Sequence, residues 1–278
     1  MSAPLLVVNA DDFGLTRCIS EGVAEAHRAG VVTSASVIAA GGGLARDLDL
    51  LRDAPTLGVG AHLTLVGALA PCLPAREVPS LVDGRGLLLP SWRHLLARAL
   101  RGRLRLDEAA REVSAQIERV GAAVGALTHV DSHQHVHLLP ALGEVVLERA
   151  SAAGVRCVRR PRSRGARPAG LALDLLARRF ERRARRGRVR TTDLCVGFDE
   201  SGGFVAAQWL AAISRIDRAR PRSVEVFVHP AAGDDSARRA LGWRYRWEEE
   251  LQVLTSPWLR ARIAAAGIRL GTWRDVPA

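Results

Sequence analysis

Short β-branched runs alternate with helix-like patterns along this chain, and that alternation limits the fold more than any other feature. Residues 5–9, Leu-Leu-Val-Val-Asn, have the continuous apolar character of a strand buried on both faces. A helical pattern follows over residues 17–29 and stops at Gly30. Residues 31–40 predict a second strand, followed by a glycine turn over 41–43 and a helix to about Arg52. A third strand is expected over 57–65, an amphipathic helix over 107–122, a fourth strand over 127–132 and a helix over 139–153 that stops at Gly154. Asp107 and Glu108 sit where negative charge favours a helix N-terminus. Residues 155–159, 193–198, 224–229 and 268–273 supply further strands.

Repeated strand-then-helix units call for a parallel sheet covered by helices. Seven or eight of them in 278 residues suit an α/β fold of the TIM-barrel-like (β/α) kind, irregular or incompletely closed. A doubly wound open sheet is the alternative. No linker divides the chain, so residues 1–278 are expected to form a single domain. Two stretches interrupt the rhythm and read as loop insertions: residues 67–102, rich in Pro, Gly and Leu, and residues 161–190.

Hydrophobic residues make up 48% of the chain, enough for a sizeable core. No run approaches the roughly 18 apolar residues of a membrane span. The first residues lack the charged start and long apolar centre of a signal peptide, so a cytoplasmic location is expected. Cys18, Cys72, Cys157 and Cys195 are scattered without a C-x-x-C pair, which fits reduced core residues rather than disulfides.

The formal charge is +11, and arginine supplies every basic side chain apart from histidine. Between Arg159 and Arg190, thirteen arginines face only Asp174 and Glu181, a local excess of +11, so the rest of the chain is neutral. Such a block can attract phosphate backbones, anionic lipids or acidic substrates, although a solvated helix is the favoured reading. Phe180 is its only aromatic residue, so base stacking is poorly supported and nucleic acid is not expected as a main partner. Peripheral association with an anionic membrane or glycolipid stays open, as does a homodimer.

The chemistry-bearing residues fall at the ends of the expected strands. Asp11 and Asp12 directly follow the first, His62 lies near the end of the third, Asp131, His133, His135 and His137 close the fourth, and His229 ends a later one. In a parallel barrel these C-terminal ends meet on one face, where active sites are built. At a strand-to-loop bend, two neighbouring aspartates can both face the cleft, one binding a cation and the other taking a proton. The competing role is to cap the following helix. The period-two run from Asp131 to His137 places all four on one face of an extended segment, as metal ligands and their orienting groups would be. Spacing does not say which histidine binds, because the chain can turn after Ser132. His27, His94 and His129 lack this context and read as structural. Trp243, Tyr245 and Trp247 alternate with arginines, and packing is favoured over the lining of a sugar cleft.

Three motifs together resemble the YdjC-like carbohydrate deacetylases, a family that includes the chitooligosaccharide deacetylases. They are Asn9-Ala-Asp-Asp-Phe-Gly-Leu-Thr16, Gly58-Val-Gly-Ala-His62-Leu and Thr128-His-Val-Asp-Ser-His-Gln-His-Val-His137. The resemblance runs over residues 5–159 and resumes near the C-terminal strands. It implies a (β/α)-barrel-like fold and metal-dependent removal of the acetyl group from an N-acetylglucosamine-type oligosaccharide or glycoconjugate. Acetate and an amino sugar would be the products, and a small carbohydrate the partner. The ligands of one divalent ion map onto Asp12, His62 and His133, and the general base maps onto Asp11. His229 matches a later family histidine and is the candidate general acid, and Arg159 is a candidate for binding substrate. The resemblance implies magnesium, whereas two histidines and a carboxylate suit zinc or another transition metal. Two rival readings are a metal-dependent phosphoesterase built on the same residues, and an arginine-rich protein that binds nucleic acid or an anionic membrane.

Overall fold

The computed structural model describes residues 3–163, 165 and 168–277, so Arg164 and Arg167 of the basic block lie outside the described residues. Its strands are β1 (Leu5–Phe13), β2 (Ser34–Val37), β3 (Gly58–Leu63), β4 (Val130–Ser132), β5 (Leu194–Val196), β6 (Ser223–Val228) and β7 (Arg269–Leu270). Every ladder between them is parallel, in the order β4-β3-β2-β1-β6-β5, with β7 beside the first residues of β1. Helices that include Arg17–Arg28, Leu106–Val124, Pro140–Ala152, Pro168–Arg186, Ala206–Ala219 and Trp247–Thr255 carry the chain between strands.

The sheet curls into an irregular barrel. Its seam between β4 and β5 is held by single bridges rather than a strand. Val130 N–H donates to the Cys157 carbonyl (3.0 Å), Arg159 N–H to the Val130 carbonyl (3.1 Å) and Val158 N–H to the Arg190 carbonyl (2.9 Å). The strand expected over 155–159 is reduced to these contacts. The second strand is likewise shorter than expected, because Val31 and Val32 donate to Leu254 and Ala26 instead of a ladder, and Gly41 and Gly42 turn the chain at positive φ.

All nine residues of β1 are buried, and their alternation separates two environments. Leu6, Val8 and Ala10 join the large core shared with the helices, whereas Leu5 and Val7 pack with Cys157, Trp273 and Val276 in a small cluster of their own. On the same side as Leu5 and Val7, the next alternate positions are Asn9 and Asp11. The barrel interior is thus apolar at the N-terminal ends of the strands and polar towards their C-terminal ends. Gly60 belongs to this middle layer, since a Cβ there would lie 2.3 Å from the His129 ring.

The 67–102 stretch is pinned to the barrel by one helix. Along Leu106–Val124, Glu108, Glu112 and Gln116 form a buried polar stripe at i, i+4 and i+8. Glu108 accepts from Ser80 N–H, Glu112 from Cys72 and Leu73 N–H, and Gln116 from Thr64 N–H. These side-chain oxygens satisfy backbone donors that a buried loop would otherwise leave without partners.

Candidate active site

The site begins with an unusual backbone. Asp12 has φ +64°, a left-handed conformation that aspartate tolerates better than most residues, and the β1–β2 register shifts between Ala10 and Phe13. That kink interrupts the strand alternation, so Asp11 and Asp12 both line the same cleft of about 400 Å³. His62 from the end of β3, His133 from the end of β4 and His229 from the end of β6 line it too.

Asp12, His62 and His133 converge with ligand atoms within 4.8 Å of one another. Asp12 Oδ1 lies 3.3 Å from His62 Nε2 and 3.1 Å from His133 Nδ1. Burial favours a neutral Asp12, but the His133 and His62 imidazoles outweigh it and hold the carboxyl well below its usual range. His62 Nδ1 is occupied by Asp131 Oδ1 at 2.7 Å, which fixes the ring and turns Nε2 towards the cluster. Burial opposes charging His62, yet Asp131 and Asp12 push it up to about 10. An orienting carboxylate behind one imidazole, and two imidazoles with a carboxylate in front, fit a divalent cation.

Beside this cluster stands a charge hub. Arg159 has no exposed surface, and its guanidinium meets three carboxylates. It is bidentate to Asp11 at 2.6 and 2.7 Å, and reaches Asp131 Oδ2 and Glu225 Oε1 at 2.7 Å each. Phe227 packs on the guanidinium face, 4.5 Å from centroid to Cζ. Burial disfavours every charge here. Arg159 and His62 nevertheless hold Asp131 well below the usual carboxylate range, while burial pushes Glu225 up to about 7. Arg159, a candidate for binding substrate, spends its reach on these side chains inside the barrel and is not among the residues that line the cleft. Asn9 donates to Asp11 Oδ1 and to Ser36 Oγ at 2.8 Å each, and Ser36 donates to Asp131 Oδ2 at 2.7 Å, closing the network.

The period-two reading of residues 131–137 fails after Ser132. Gln134 and His135 take φ +51° and +53°, and the segment from His133 to Leu138 coils instead of extending. His133 therefore reaches the cluster, and His135 lies between Phe198 and Phe227 on the cleft wall. His137 is buried with Nδ1 on Ser132 Oγ and Nε2 on the Arg159 carbonyl. His129 is structural as expected, bonded to Ser36 and Thr128 and stacked on Trp273.

His229 offers a buried Nδ1 that has no hydrogen-bond partner among the described residues. Its backbone N–H is anchored by Glu250 Oε2 at 2.7 Å, and its ring meets the edge of Tyr245. Tyr245 and Trp243 were expected to pack, yet both line the cleft, and only Trp247 is buried. Trp243 stacks on the His133 ring with centroids 5.5 Å apart. Tyr245 sits over Gly202, where a Cβ would fall 2.0 Å from the phenol ring. From the 67–102 stretch Trp92 joins the rim, its backbone N–H donating to Gln134 Oε1 at 2.9 Å. The missed residues had one legible signal: Glu225 is a carboxylate inside a β-branched run, a position that demands a buried partner.

The profile of the YdjC-like protein family matches residues 5–265. The chain is 34% identical over 273 residues to a carbohydrate deacetylase of Brevibacillus brevis, covering 98% of this chain and 99% of the relative. It is 34% identical over 276 residues to a chitooligosaccharide deacetylase of Serratia marcescens, again covering 98% and 99%. Among solved structures, a protein of Enterococcus faecalis V583 assigned provisionally to cellobiose-phosphate cleavage superimposes with a TM-score of 0.82, at 26% identity across 98% of both chains. With a profile that spans nearly its whole length and relatives that match end to end, the chain belongs to the YdjC-like protein family.

Proposed function

We propose that this protein is a carbohydrate N-deacetylase: a hydrolase that releases acetate from an N-acetylated sugar, with one divalent cation held by Asp12, His62 and His133. The observation that carries the proposal is the adjacency, at the strand ends, of a three-residue ligand cluster and a separate carboxylate, Asp11, clamped by Arg159. The names of the Brevibacillus and Serratia relatives support the same reaction.

A bound cation would supply Lewis acidity for the acetyl carbonyl and acidify a water beside it. Asp11 accepts the proton as that water adds to the carbonyl carbon; Arg159 and Asn9 hold its carboxylate in place, and Oδ2 keeps a lone pair free for the task. His229, which lines the cleft, donates a proton to the departing nitrogen, so the C–N bond breaks to leave acetate and an amino sugar. Trp243, Tyr245, Trp92 and Phe198 give the cleft aromatic walls on which a sugar ring can lie. Two imidazoles and one carboxylate favour zinc or another transition metal over magnesium. The four cysteines are free thiols, which agrees with the cytoplasmic location proposed from the sequence.

A phosphoesterase is the weaker reading. No arginine lines the cleft among the described residues, so a transferred phosphate would meet no exposed guanidinium there. Acetate release from N-acetylglucosamine oligomers and glycoconjugates, with and without chelator and with added zinc or magnesium, tests the proposal. Chelator-sensitive release is expected; hydrolysis of phosphate esters without acetate release from any acetylated sugar would overturn it.

A further inference from the structure

A second cleft, of about 420 Å³, opens at the other end of the barrel. It is lined by Arg185, Arg188, Arg190 and Arg222, with Asp193 as the one carboxylate among the described residues, and by Val189, Thr191 and Pro277. Asp193 immediately precedes β5, and Arg222 immediately precedes β6. His229, at the far end of β6, belongs to the active-site cleft, so the two sites stand roughly 20 Å apart along that strand. One small substrate cannot occupy both.

Four guanidinium groups around one cavity repel each other, and the groups beside them offset that repulsion only in part. Asp193 Oδ2 is engaged by the N–H groups of Arg222 and Ser223 at 2.9 and 3.2 Å, and lies 3.7 Å from Arg222 Nε. Arg185 is paired with Glu181 at 2.8 Å, and Arg190 donates to the Val276 carbonyl at 2.6 Å. The Arg188 side chain has no partner among the described residues. Its backbone is the second observation. After the helix Pro168–Arg186, Val189 N–H folds back to the Ala184 carbonyl, and the residue forced to positive φ is Arg188 at +56°, not Gly187 beside it. Glycine or asparagine usually takes that position. An arginine held there in a costly conformation, lining a cationic cleft, is arranged for an anion.

We propose that this cleft binds the phosphate group of a soluble phosphorylated small molecule. Arginine forks match phosphate oxygens bidentately, and the volume accommodates more than the phosphate alone. The proposal does not depend on the deacetylase reading.

The test is a titration of the intact protein with inorganic phosphate, exchanged against chloride at constant ionic strength, followed by thermal unfolding and calorimetry. A saturable rise of about 3 °C in the unfolding midpoint is expected. It should vanish in the Arg188→Ser, Arg222→Ser double variant, whose acetate release in phosphate-free buffer should match that of the parent. No rise beyond chloride overturns the proposal. So does an undiminished rise in the double variant, which would put the phosphate elsewhere. Binding to phosphatidate-containing vesicles without any response to free phosphate would assign the arginines to a membrane surface and overturn it as well.

Discussion

The two ends of this barrel treat arginine in opposite ways. At the C-terminal strand ends, Arg159 is fully buried among Asp11, Asp131 and Glu225, and those carboxylates are held in turn by Asn9, Ser36 and His62. At the N-terminal ends of β5 and β6, four arginines line an open cleft with Asp193 as the one carboxylate among the described residues. Burial explains the difference. A charge removed from water must find its counter-charge within the fold, whereas a charge at the surface can wait for water, salt or a ligand. The buried hub is therefore rigid support for chemistry, and the open cleft is capacity for binding.

Substitution at the hub should break the contrast most severely. Arg159→Met leaves three carboxylates buried without their cation, and removing one partner of such a network typically costs about 3–5 kcal/mol. A large fall in the denaturation midpoint is expected by urea titration; an unchanged midpoint would show that the carboxylates do not need the guanidinium. Asp131→Asn acts at one remove, since it weakens the hold on His62 Nδ1. Loss of such an orienting carboxylate should lower metal affinity roughly 10- to 100-fold, measured by competition with a chromophoric chelator.

The interior also sets a pH dependence, read on chelator-treated protein. Burial pushes His129 down to about 3 and His137 down to about 4, so both stay neutral in the fold but take protons when unfolded below about 6.5. Their contribution is complete above that pH and is lost progressively as pH falls from about 6.5 towards the folded values, on the order of 2 kcal/mol each by pH 5. Glu225, pushed up to about 7 by burial, runs the other way: the fold binds its proton more readily than the unfolded chain between about pH 7 and 4.5, which returns part of the loss. Glu225→Gln should steepen the decline in stability from pH 7 to 5, and His137→Gln should flatten it. The smallest effect is expected at the open cleft. Replacing Arg188 and Arg222 with serine should move stability by less than about 1 kcal/mol in phosphate-free buffer, because exposed charges contribute little. A destabilisation as large as that of Arg159→Met would erase the distinction between the two ends.

The strand ends were legible in the sequence because each chemistry-bearing residue follows an apolar run, and parallel topology does the rest. Asp11, Asp12, His62, His133 and His229 all reach one cleft for that reason. Arg159 was not legible as a hub, since its partners lie on three strands far apart in the chain, and a sequence shows a charge but not its counter-charge. The period-two histidines misled because Gln134 and His135 adopt positive φ, a conformation that spacing alone does not reveal. Trp243 and Tyr245 come to the cleft from the segment after β6, which has no periodic pattern to orient them.

The basic block taught the converse lesson, that a local excess of +11 is not one surface. Arg162 and Arg178 share Asp174, Arg183 holds Glu144, and Arg160 and Arg185 share Glu181. Arg159 has left the surface altogether. Among the described residues, Arg179, Arg182, Arg186, Arg188 and Arg190 of the run have no carboxylate partner, and Arg188 and Arg190 line the open cleft together with Arg222 from outside the run.

The division of labour between Asp11 and Asp12 is the core of the functional account, and Asp11→Asn tests it most directly when turnover and bound metal are measured on the same sample. The account predicts that acetate release falls at least about 100-fold while metal content stays at the parental level, since a positioned base contributes roughly 10²- to 10⁴-fold. Near-parental turnover would contradict Asp11 as the base, and loss of the metal together with activity would make Asp11 a ligand rather than a proton acceptor.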